Sequence, residues 1–403
     1  MLRINREITN HGNRRGRLRL VIAACAIVLV VAGMILVYES LSPGGGSAGS
    51  RITQQQSPET TGTAIVPTDA ATRPIHQTPS PHSSTPRTLR GHSHLVGIVD
   101  LSSDGATLLS VDLGGIIQVW DFHAGVPLTK IDASPIGLRR AVLTPNGENV
   151  IACGKDSAVQ MWSSKTGKFV REFRGHTETV TAICCLPGGD QFLTSSFDVS
   201  IILWDIRKGD VIRQFGRASN ATEVAPRSVE ELAQLDGHFA WIRDLVVLPD
   251  GKRAISAGND AVLFIWDVES GTLAGRLVGH RSVVMELTLS PDGRYAASSS
   301  TDKAIIVWDV EEARILQQFE HSRERAPAFA FATDSRSLVL ADHEDAVRFL
   351  DVQSGEERGQ IATVGTEVTS LAFTRDGEMV AGANDGTIQI WPAGSERLLV
   401  GHK

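Results

Sequence analysis

The chain has 403 residues and a net charge of −7, and its charge is unevenly distributed. Residues 1–38 carry a charge of +5 and residues 39–87 are neutral, which leaves −12 for residues 88–403. An acidic body of this size repels phosphate, which argues against a general nucleic-acid-binding protein. Of the four cysteines, Cys25 lies in an apolar run and Cys184 and Cys185 are adjacent, so the sequence predicts neither a disulfide framework nor a zinc site.

The first element is an uncharged apolar run, residues 20–38, which follows a basic stub at residues 1–19. As a helix its nineteen residues would reach roughly 28 Å, close to the hydrocarbon thickness of a bilayer. The arginines of this region all precede the run, so the positive-inside rule places the stub in the cytoplasm and the rest of the chain outside. The rival interpretation is a cleaved signal peptide, whose apolar region usually spans only about 7–15 residues. We therefore expect a retained, single transmembrane helix.

Residues 39–86 form the second segment, which is rich in Ser, Thr, Pro, Gly and Gln and poor in large apolar side chains. Such a composition cannot bury enough surface to offset the entropy of ordering, so we expect a disordered linker. A flexible chain of this length has an end-to-end distance of about 35–40 Å. The linker would hold the remaining domain close to the membrane without pressing it onto the lipid.

From residue 87 to residue 403 the sequence repeats. Each unit ends in Trp-Asp or a relic of that pair, at Trp120, Trp162, Trp204, Trp266, Trp308, Leu350 and Trp391. The spacings are 42, 42, 62, 42, 42 and 41 residues, and the long one indicates an insertion at about residues 216–234. Short alternating strands and Asp-Gly or Asn-Gly turns fill each unit, and no βαβ alternation occurs. This pattern predicts an all-β, seven-bladed β-propeller of four-stranded blades.

Three of the repeats carry the same four polar or aromatic positions, with 22 residues from His to Asp and 6 from Asp to Trp. These tetrads are His176, Thr194, Asp198 and Trp204 in the third repeat, His238, Ser256, Asp260 and Trp266 in the fourth, and His280, Ser298, Asp302 and Trp308 in the fifth. With the Gly that precedes each His, the tetrads make residues 87–403 resemble the WD-repeat family. A closed network would satisfy every buried polar group of a tetrad, so its predicted role is structural. We reject a Ser-His-Asp hydrolase, because the set recurs around the ring beside a Trp and not in a cleft.

Other repeats depart from this pattern. In the first, Gly114 stands where the turn Asp belongs, although His92, Ser110 and Trp120 are present. The second has Ser134 in place of the His, and the sixth and seventh lack a matching His or Trp. We expect these blades to be present but less tightly tied.

Closure of the ring has two candidate strands. Residues 88–92 and residues 398–402 both read as an outer strand followed by Gly-His. The WD-repeat resemblance implies that one outer strand from a chain end completes the last blade. The other strand is then surplus, and the sequence leaves open which one.

The same resemblance implies a partner-binding face at the end of the blades that carries the His and Asp turns. Positions three and five after the His, and the one before the Asp, would point there, and they supply Phe197, Trp241, Arg243, Asn259, Val283 and Met285. An exposed Trp and Met beside an Arg is typical of a binding hot spot. The rival interpretation is that these side chains merely pack on one another or under a loop.

No phosphate loop, nucleotide fingerprint, metal-ligand spacing or nucleophile elbow occurs, so no catalytic, cofactor-binding or metal-binding residue is predicted. The leading hypothesis is a non-catalytic protein–protein interaction scaffold on the outer, periplasmic or extracellular side of a membrane. Its layout resembles that of bacterial envelope proteins, so we expect the bacterial inner membrane. The alternatives are a small-molecule or catalytic site in the central channel and a sensor or assembly subunit of a membrane complex.

Overall fold

The computed structural model describes residues 86–133, 137–217, 234–321, 328–343, 346–363 and 366–395. In these ranges it contains 28 strands, which form seven antiparallel four-stranded sheets. The predicted all-β, seven-bladed propeller of four-stranded blades is therefore confirmed. Within the same ranges, no helix has the length and apolar character needed to cross a bilayer. The predicted stub, transmembrane helix and linker, and residues 396–403, lie outside the described residues.

The chain begins the propeller with β1 (Arg87–Arg90) and then completes blades 1 to 3 in sequence order. Blade 1 consists of β2 (Val96–Leu101), β3 (Thr107–Asp112), β4 (Ile116–Asp121) and β5 (Val126–Asp132). Blade 2 consists of β6 (Leu138–Leu143), β7 (Asn149–Gly154), β8 (Ala158–Ser163) and β9 (Phe169–Arg174). Blade 3 consists of β10 (Val180–Cys185), β11 (Gln191–Ser196), β12 (Ile201–Asp205) and β13 (Val211–Phe215).

Blades 4 to 7 follow the same order, from the inner strand to the outer strand. Blade 4 consists of β14 (Ile242–Val247), β15 (Arg253–Gly258), β16 (Val262–Asp267) and β17 (Leu273–Val278). Blade 5 consists of β18 (Val284–Leu289), β19 (Tyr295–Ser300), β20 (Ala304–Asp309) and β21 (Arg314–Glu320). Blade 6 consists of β22 (Ala328–Phe331), β23 (Ser337–His343), β24 (Ala346–Asp351) and β25 (Glu357–Ala362). Blade 7 consists of β26 (Val368–Phe373), β27 (Met379–Ala383), β28 (Thr387–Trp391) and β1.

The core lies between the blades. The two middle strands of a blade are almost fully buried, as in β19 and β20, whereas the outer strands such as β9 are largely exposed. Each apolar cluster joins neighbouring blades; one of them packs Leu193 and Leu203 of blade 3 against Leu245 and Phe264 of blade 4. A blade therefore buries its faces only against its neighbours, which is the energetic logic of a repeat fold.

Polar side chains on the inner strands also connect one blade to the next. The carboxylate of Asp100 accepts a hydrogen bond from the backbone N–H of Leu143 at 2.8 Å, and Asp244 accepts one from Leu287 at 2.7 Å. Each bond spans 43 residues, which is one blade. These carboxylates satisfy backbone donors on the free edges of the inner strands β6 and β18, which have no further strand to pair with in their own sheets.

The ring is closed by the N-terminal candidate strand. β1 pairs antiparallel with β28, with Leu89 opposite Ile388. The side chain of Leu89 is buried in the cluster that joins blade 7 to Trp120 and Phe122 of blade 1. The second candidate, residues 398–402, lies outside the described residues.

The insertion follows the outer strand of blade 3. β13 occupies the outer position of that blade, where it pairs antiparallel with β12. The carbonyl of Gly216 accepts a hydrogen bond from the N–H of His238 at 2.7 Å, which places the two ends of the insertion side by side at the His-turn end of the blades. Residues 218–233, most of the predicted insertion, lie outside the described residues.

We expect Leu89→Ala to lower the free energy of unfolding by about 2–5 kcal/mol, because it leaves a cavity in the cluster that closes the ring. Denaturant unfolding followed by circular dichroism measures the change. Thr88→Ala is the matched control, since this neighbouring side chain is exposed and should change the stability by less than about 0.5 kcal/mol. Equal stability of Leu89→Ala and wild type would indicate that another strand closes the ring.

Candidate partner-binding face

The tetrads of blades 3, 4 and 5 form continuous hydrogen-bonded chains. In blade 4 the indole N–H of Trp266 donates to Ser256 Oγ at 2.7 Å, Ser256 Oγ lies 2.7 Å from His238 Nε2, and His238 Nδ1 lies 2.7 Å from Asp260 Oδ2. The corresponding distances are 2.8, 2.8 and 2.8 Å in blade 3 and 2.8, 2.7 and 3.0 Å in blade 5. The middle strands and the two turns of each blade are thus tied together.

The hydrogen-bond directions follow from the donors available. Because the Trp N–H can only donate, the Ser or Thr oxygen accepts it and gives its own proton to His Nε2. His Nδ1–H then donates to the carboxylate, so the imidazole is neutral and the Asp is ionised. This order matches a catalytic triad, but the oxygens of Thr194, Ser256 and Ser298 belong to side chains with no exposed surface. No substrate can reach these hydroxyl groups, so the role of the tetrads is structural.

The electrostatics of the tetrads agree with this assignment. Burial opposes the charge of Asp198, but hydrogen bonds from His176 and Ser200 outweigh it and lower the pKa of the carboxyl to about 2. The pKa of Asp302 is also lowered, since backbone N–H groups, including that of Arg281, outweigh its burial. Burial lowers the pKa of His280 and favours its neutral form.

Blade 1 has a complete network that the sequence pattern did not reveal. Asp112 replaces the missing turn carboxylate: its Oδ2 lies 3.1 Å from His92 Nδ1, while His92 Nε2 lies 2.7 Å from Ser110 Oγ. The indole of Trp120 donates to the same Ser110 at 2.8 Å. Asp112 stands two residues earlier than Gly114, so it ends β3 and still reaches the imidazole. The expectation that blade 1 is less tightly tied is therefore not met in its hydrogen bonds.

We call the end of the propeller that carries the His and Asp turns the upper face. The carboxylate of Asp198 accepts the N–H of Ser200 at 2.9 Å and holds the turn that presents Phe197. The ring of Phe197 stacks on that of Trp241, with centroids 4.5 Å apart and an interplanar angle of 20°. Trp241 nevertheless remains 40% exposed. Mutual packing and accessibility thus coexist at this pair.

Arg243 joins the aromatic pair. Its guanidinium carbon lies 5.0 Å from the ring centroid of Phe197 and 5.7 Å from that of Trp241, within the range of cation–π interactions. Its Nε donates to Asn259 Oδ1 at 2.7 Å. Four of the six residues predicted for the face are therefore in one connected group.

The structure adds a cation that the sequence reasoning missed. The guanidinium carbon of Arg139, in blade 2, lies 5.0 Å from the ring centroid of Phe197. Blade 2 has no His from which to count, and so the position was overlooked. Counting from the Trp would have found it, because Arg139 precedes Trp162 by 23 residues, just as Arg243 precedes Trp266.

A cavity of about 300 Å³ opens at this place. Arg139, Arg243 and Met285 line it, together with Leu113 of blade 1. Met285 is 36% exposed and Leu113 is 47% exposed. Val283, the remaining predicted face residue, is half-buried and is not among the described residues that line the cavity.

Deeper in the channel, Arg140, Asp100, Asp244 and Glu286 line a smaller space of about 180 Å³. Burial opposes the charge of Arg140, but Asp244 and the other nearby acids outweigh it and raise the pKa of the guanidinium. Asp100 and Asp244 already accept backbone hydrogen bonds from the following blades. Arg140 thus lies among acidic side chains, two of which join neighbouring blades.

Comparison with known families identifies the repeats. The family model for the WD40 repeat, described as "WD domain, G-beta repeat", matches residues 83–121, 167–205, 229–267, 271–309 and 358–392. The chain therefore carries WD40 repeats. The matches omit the first three strands of blade 2 and of blade 6, which lack the complete His–Ser/Thr–Asp–Trp set.

Curated relatives match about half of the chain. The chain is 24% identical over 193 residues to the nuclear distribution protein nudF of Aspergillus niger, covering 48% of this chain and 43% of the relative. It is 26% identical over 202 residues to nudF of Emericella nidulans (50% and 45%) and 25% identical over 198 residues to the nuclear distribution protein PAC1 of Coccidioides posadasii (47% and 42%). The chain thus spans less than half the length of these relatives.

Asp112→Ala and His92→Ala should be coupled energetically, because each removes one end of the same hydrogen bond. A double-mutant cycle in denaturant unfolding should give an interaction energy of about 0.5–3 kcal/mol. Asp104→Ala combined with His92→Ala is the control, since Asp104 bonds only within its own turn and near-additive effects are expected. Additivity of the Asp112 pair would remove Asp112 from the network.

The stability should fall as the pH is lowered from about 7 to 5. Burial lowers the pKa of His92 and His280 in the folded protein, whereas an unfolded histidine titrates near about 6.5. Below that pH the unfolded state binds more protons, so the free energy of unfolding decreases, by up to about 1.4 kcal/mol per pH unit for each histidine.

The measurement is the denaturation midpoint as a function of pH at constant ionic strength. His92→Gln with His280→Gln should flatten the profile relative to wild type. His123→Gln, which changes an exposed histidine outside the tetrads, should not flatten it. Comparing variants cancels the opposite contribution of Asp100 and Asp244, whose pKa is raised by burial. Parallel profiles for all three proteins would contradict the assignment.

Proposed function

We propose that this protein is a non-catalytic protein–protein interaction scaffold that binds its partner on the upper face. The observation that carries the proposal is the accessible Trp241, stacked on Phe197 and flanked by Arg243. A large aromatic side chain beside an arginine is the composition of an interface hot spot. The rigid tetrads beneath these residues preorganise them, which lowers the entropic cost of binding.

The hydrogen bonds of the acidic side chains in the channel favour this proposal over a catalytic site there. Asp100 and Asp244 each accept a hydrogen bond from a backbone N–H of the next blade, and Arg140 offsets part of their charge. The tetrad hydroxyls are buried. The chemistry-bearing groups of the propeller therefore have structural partners, whereas the upper face presents side chains to solvent.

The relatives named as nuclear distribution proteins support the choice of an interaction role. Their names refer to the distribution of nuclei and not to a reaction. We propose that the propeller of this chain acts as a binding module, and that its partner is a protein.

We further propose that the scaffold is displayed on the non-cytoplasmic side of a membrane. The support is the uncharged run at residues 20–38 with six arginines before it. β1 starts at residue 87 at the end of blade 7 opposite the upper face, since an outer strand runs toward the His turn.

Trp241→Ala with Met285→Ala should abolish partner capture by the full-length chain from native membranes, and should raise the Kd of the purified partner by about 30-fold or more. The matched control is Leu128→Ala with Ile212→Ala, which removes two exposed apolar side chains from outer strands. Capture that is lost in the control, or kept in the test variant, would place the partner site elsewhere. Circular dichroism establishes that both variants are folded.

Full-length chain should remain in the pellet on alkaline carbonate extraction of its host membranes. Val28→Arg with Val31→Arg should release it, because two charges at the centre of the run cost about 5–7 kcal/mol of insertion free energy. Thr61→Arg with Thr63→Arg, which adds the same two charges to the predicted linker, is the control. A soluble wild-type chain would contradict the anchor, and a shortened mature N-terminus would favour the signal peptide.

A further inference from the structure

The upper face carries positive charge on an otherwise acidic domain. Arg139 and Arg243 both approach the ring of Phe197 at 5.0 Å, from blades on either side of blade 3. Among the described residues, no carboxylate lies within 4.0 Å of either guanidinium, in contrast with Arg207, Arg253 and Arg358. Two arginines without a carboxylate partner on a body of charge −12 call for an explanation.

The two cations are held together at an energetic cost. Burial lowers the pKa of both guanidinium groups, and the charge of Arg139 lowers that of Arg243 further. Cation–π contacts with Phe197 and Trp241 compensate in part. An anion bound between the two groups would relieve their repulsion, because it is attracted by both.

The free donors of Arg243 match a carboxylate. Its Nε donates to Asn259 Oδ1, and among the described residues the two terminal nitrogens have no hydrogen-bond acceptor. A guanidinium offers parallel N–H donors that bind a carboxylate in a bidentate manner. The hydrogen bond to Asn259 also fixes the orientation of the head group, which reduces the entropy lost on binding.

The other side chains that line the 300 Å³ cavity indicate which kind of anion fits it. Leu113, Leu138 and Met285 provide apolar surface next to the arginines. Asp112, Asp244 and Glu286 also line the cavity, which contains Arg140 besides Arg139 and Arg243. These acids repel a doubly charged phosphate more strongly than a singly charged carboxylate. An acidic side chain with an apolar neighbour therefore fits better than a phosphorylated one.

We infer that the upper face is a receptor for an acidic segment of a protein partner. One Asp or Glu carboxylate of that segment binds Arg139 and Arg243, and an adjacent apolar side chain packs against Trp241 and Met285. This inference rests on the proposed function of the upper face and adds the chemistry of the partner. It also assigns a role to Arg139, whose blade lacks the tetrad.

The test is a selection from a random peptide display library on the immobilised full-length chain, followed by binding measurements on individual synthetic peptides. Peptides whose binding is lost in Trp241→Ala should contain Asp or Glu next to an apolar residue. Changing that acid to Asn or Gln should weaken binding at least about tenfold, and Arg139→Gln with Arg243→Gln should do the same. Arg207→Gln, an exposed arginine at the opposite end of blade 3, is the matched control and should leave binding unchanged.

The outcomes separate this inference from the proposed function. Peptides that need Trp241 but bind equally to the double-arginine variant would overturn the acidic-segment inference and leave the scaffold face in place. Tighter binding, by about tenfold, of peptides with phosphoserine in place of the acid would overturn the choice of carboxylate. Failure to select any peptide that depends on Trp241 would overturn both. Arg139→Lys with Arg243→Lys keeps both positive charges but removes the planar guanidinium groups that bind a carboxylate in a bidentate manner. This variant should bind the selected peptides with intermediate affinity.

Discussion

The structure depends on the fact that a blade cannot bury its own faces. Each four-stranded sheet has two apolar faces, and the apolar clusters show that both are covered only by neighbouring blades. The ring must therefore close, and it closes through β1 beside β28, with Leu89 packed against blade 1. Closure joins the two ends of the described domain, so every blade, including those that lack a complete tetrad, packs against a neighbour on each side.

The tetrads solve a second problem that this packing creates. Burying a Trp beside a Ser or Thr hydroxyl leaves polar groups in an apolar setting, and an unpaired group there would cost about 1–3 kcal/mol. The chain from indole to hydroxyl to imidazole to carboxylate pairs each of these groups with the next, and in blade 4 Asp260 Oδ2 also accepts the backbone N–H of Phe239. Among the described residues, Asp260 Oδ1 has no partner. The network therefore stabilises the blade and also fixes the geometry of its turn.

The sequence predicts the repeat architecture well because its cause is local and periodic. Blade number, strand number and the positions of three tetrads follow from spacing alone. Spacing does not predict which chain end closes the ring, since residues 88–92 and 398–402 have equivalent patterns and only packing around Leu89 distinguishes them. Asp112 was missed for a related reason: a carboxylate two residues out of register reaches the same imidazole because the end of β3 is close to it.

The face residues depend on the same networks. Phe197 and Asn259 each stand directly before a tetrad Asp, and Asp198 and Asp260 hold those two turns through their imidazoles. The position of Phe197 in turn decides where Arg139, Arg243 and Trp241 meet, because all three contact its ring. A substitution such as His176→Ala would then loosen blade 3 and displace the centre of the upper face at once. Stability and recognition are coupled here through one side chain, and variants that separate them must alter the exposed residues and leave the tetrads intact.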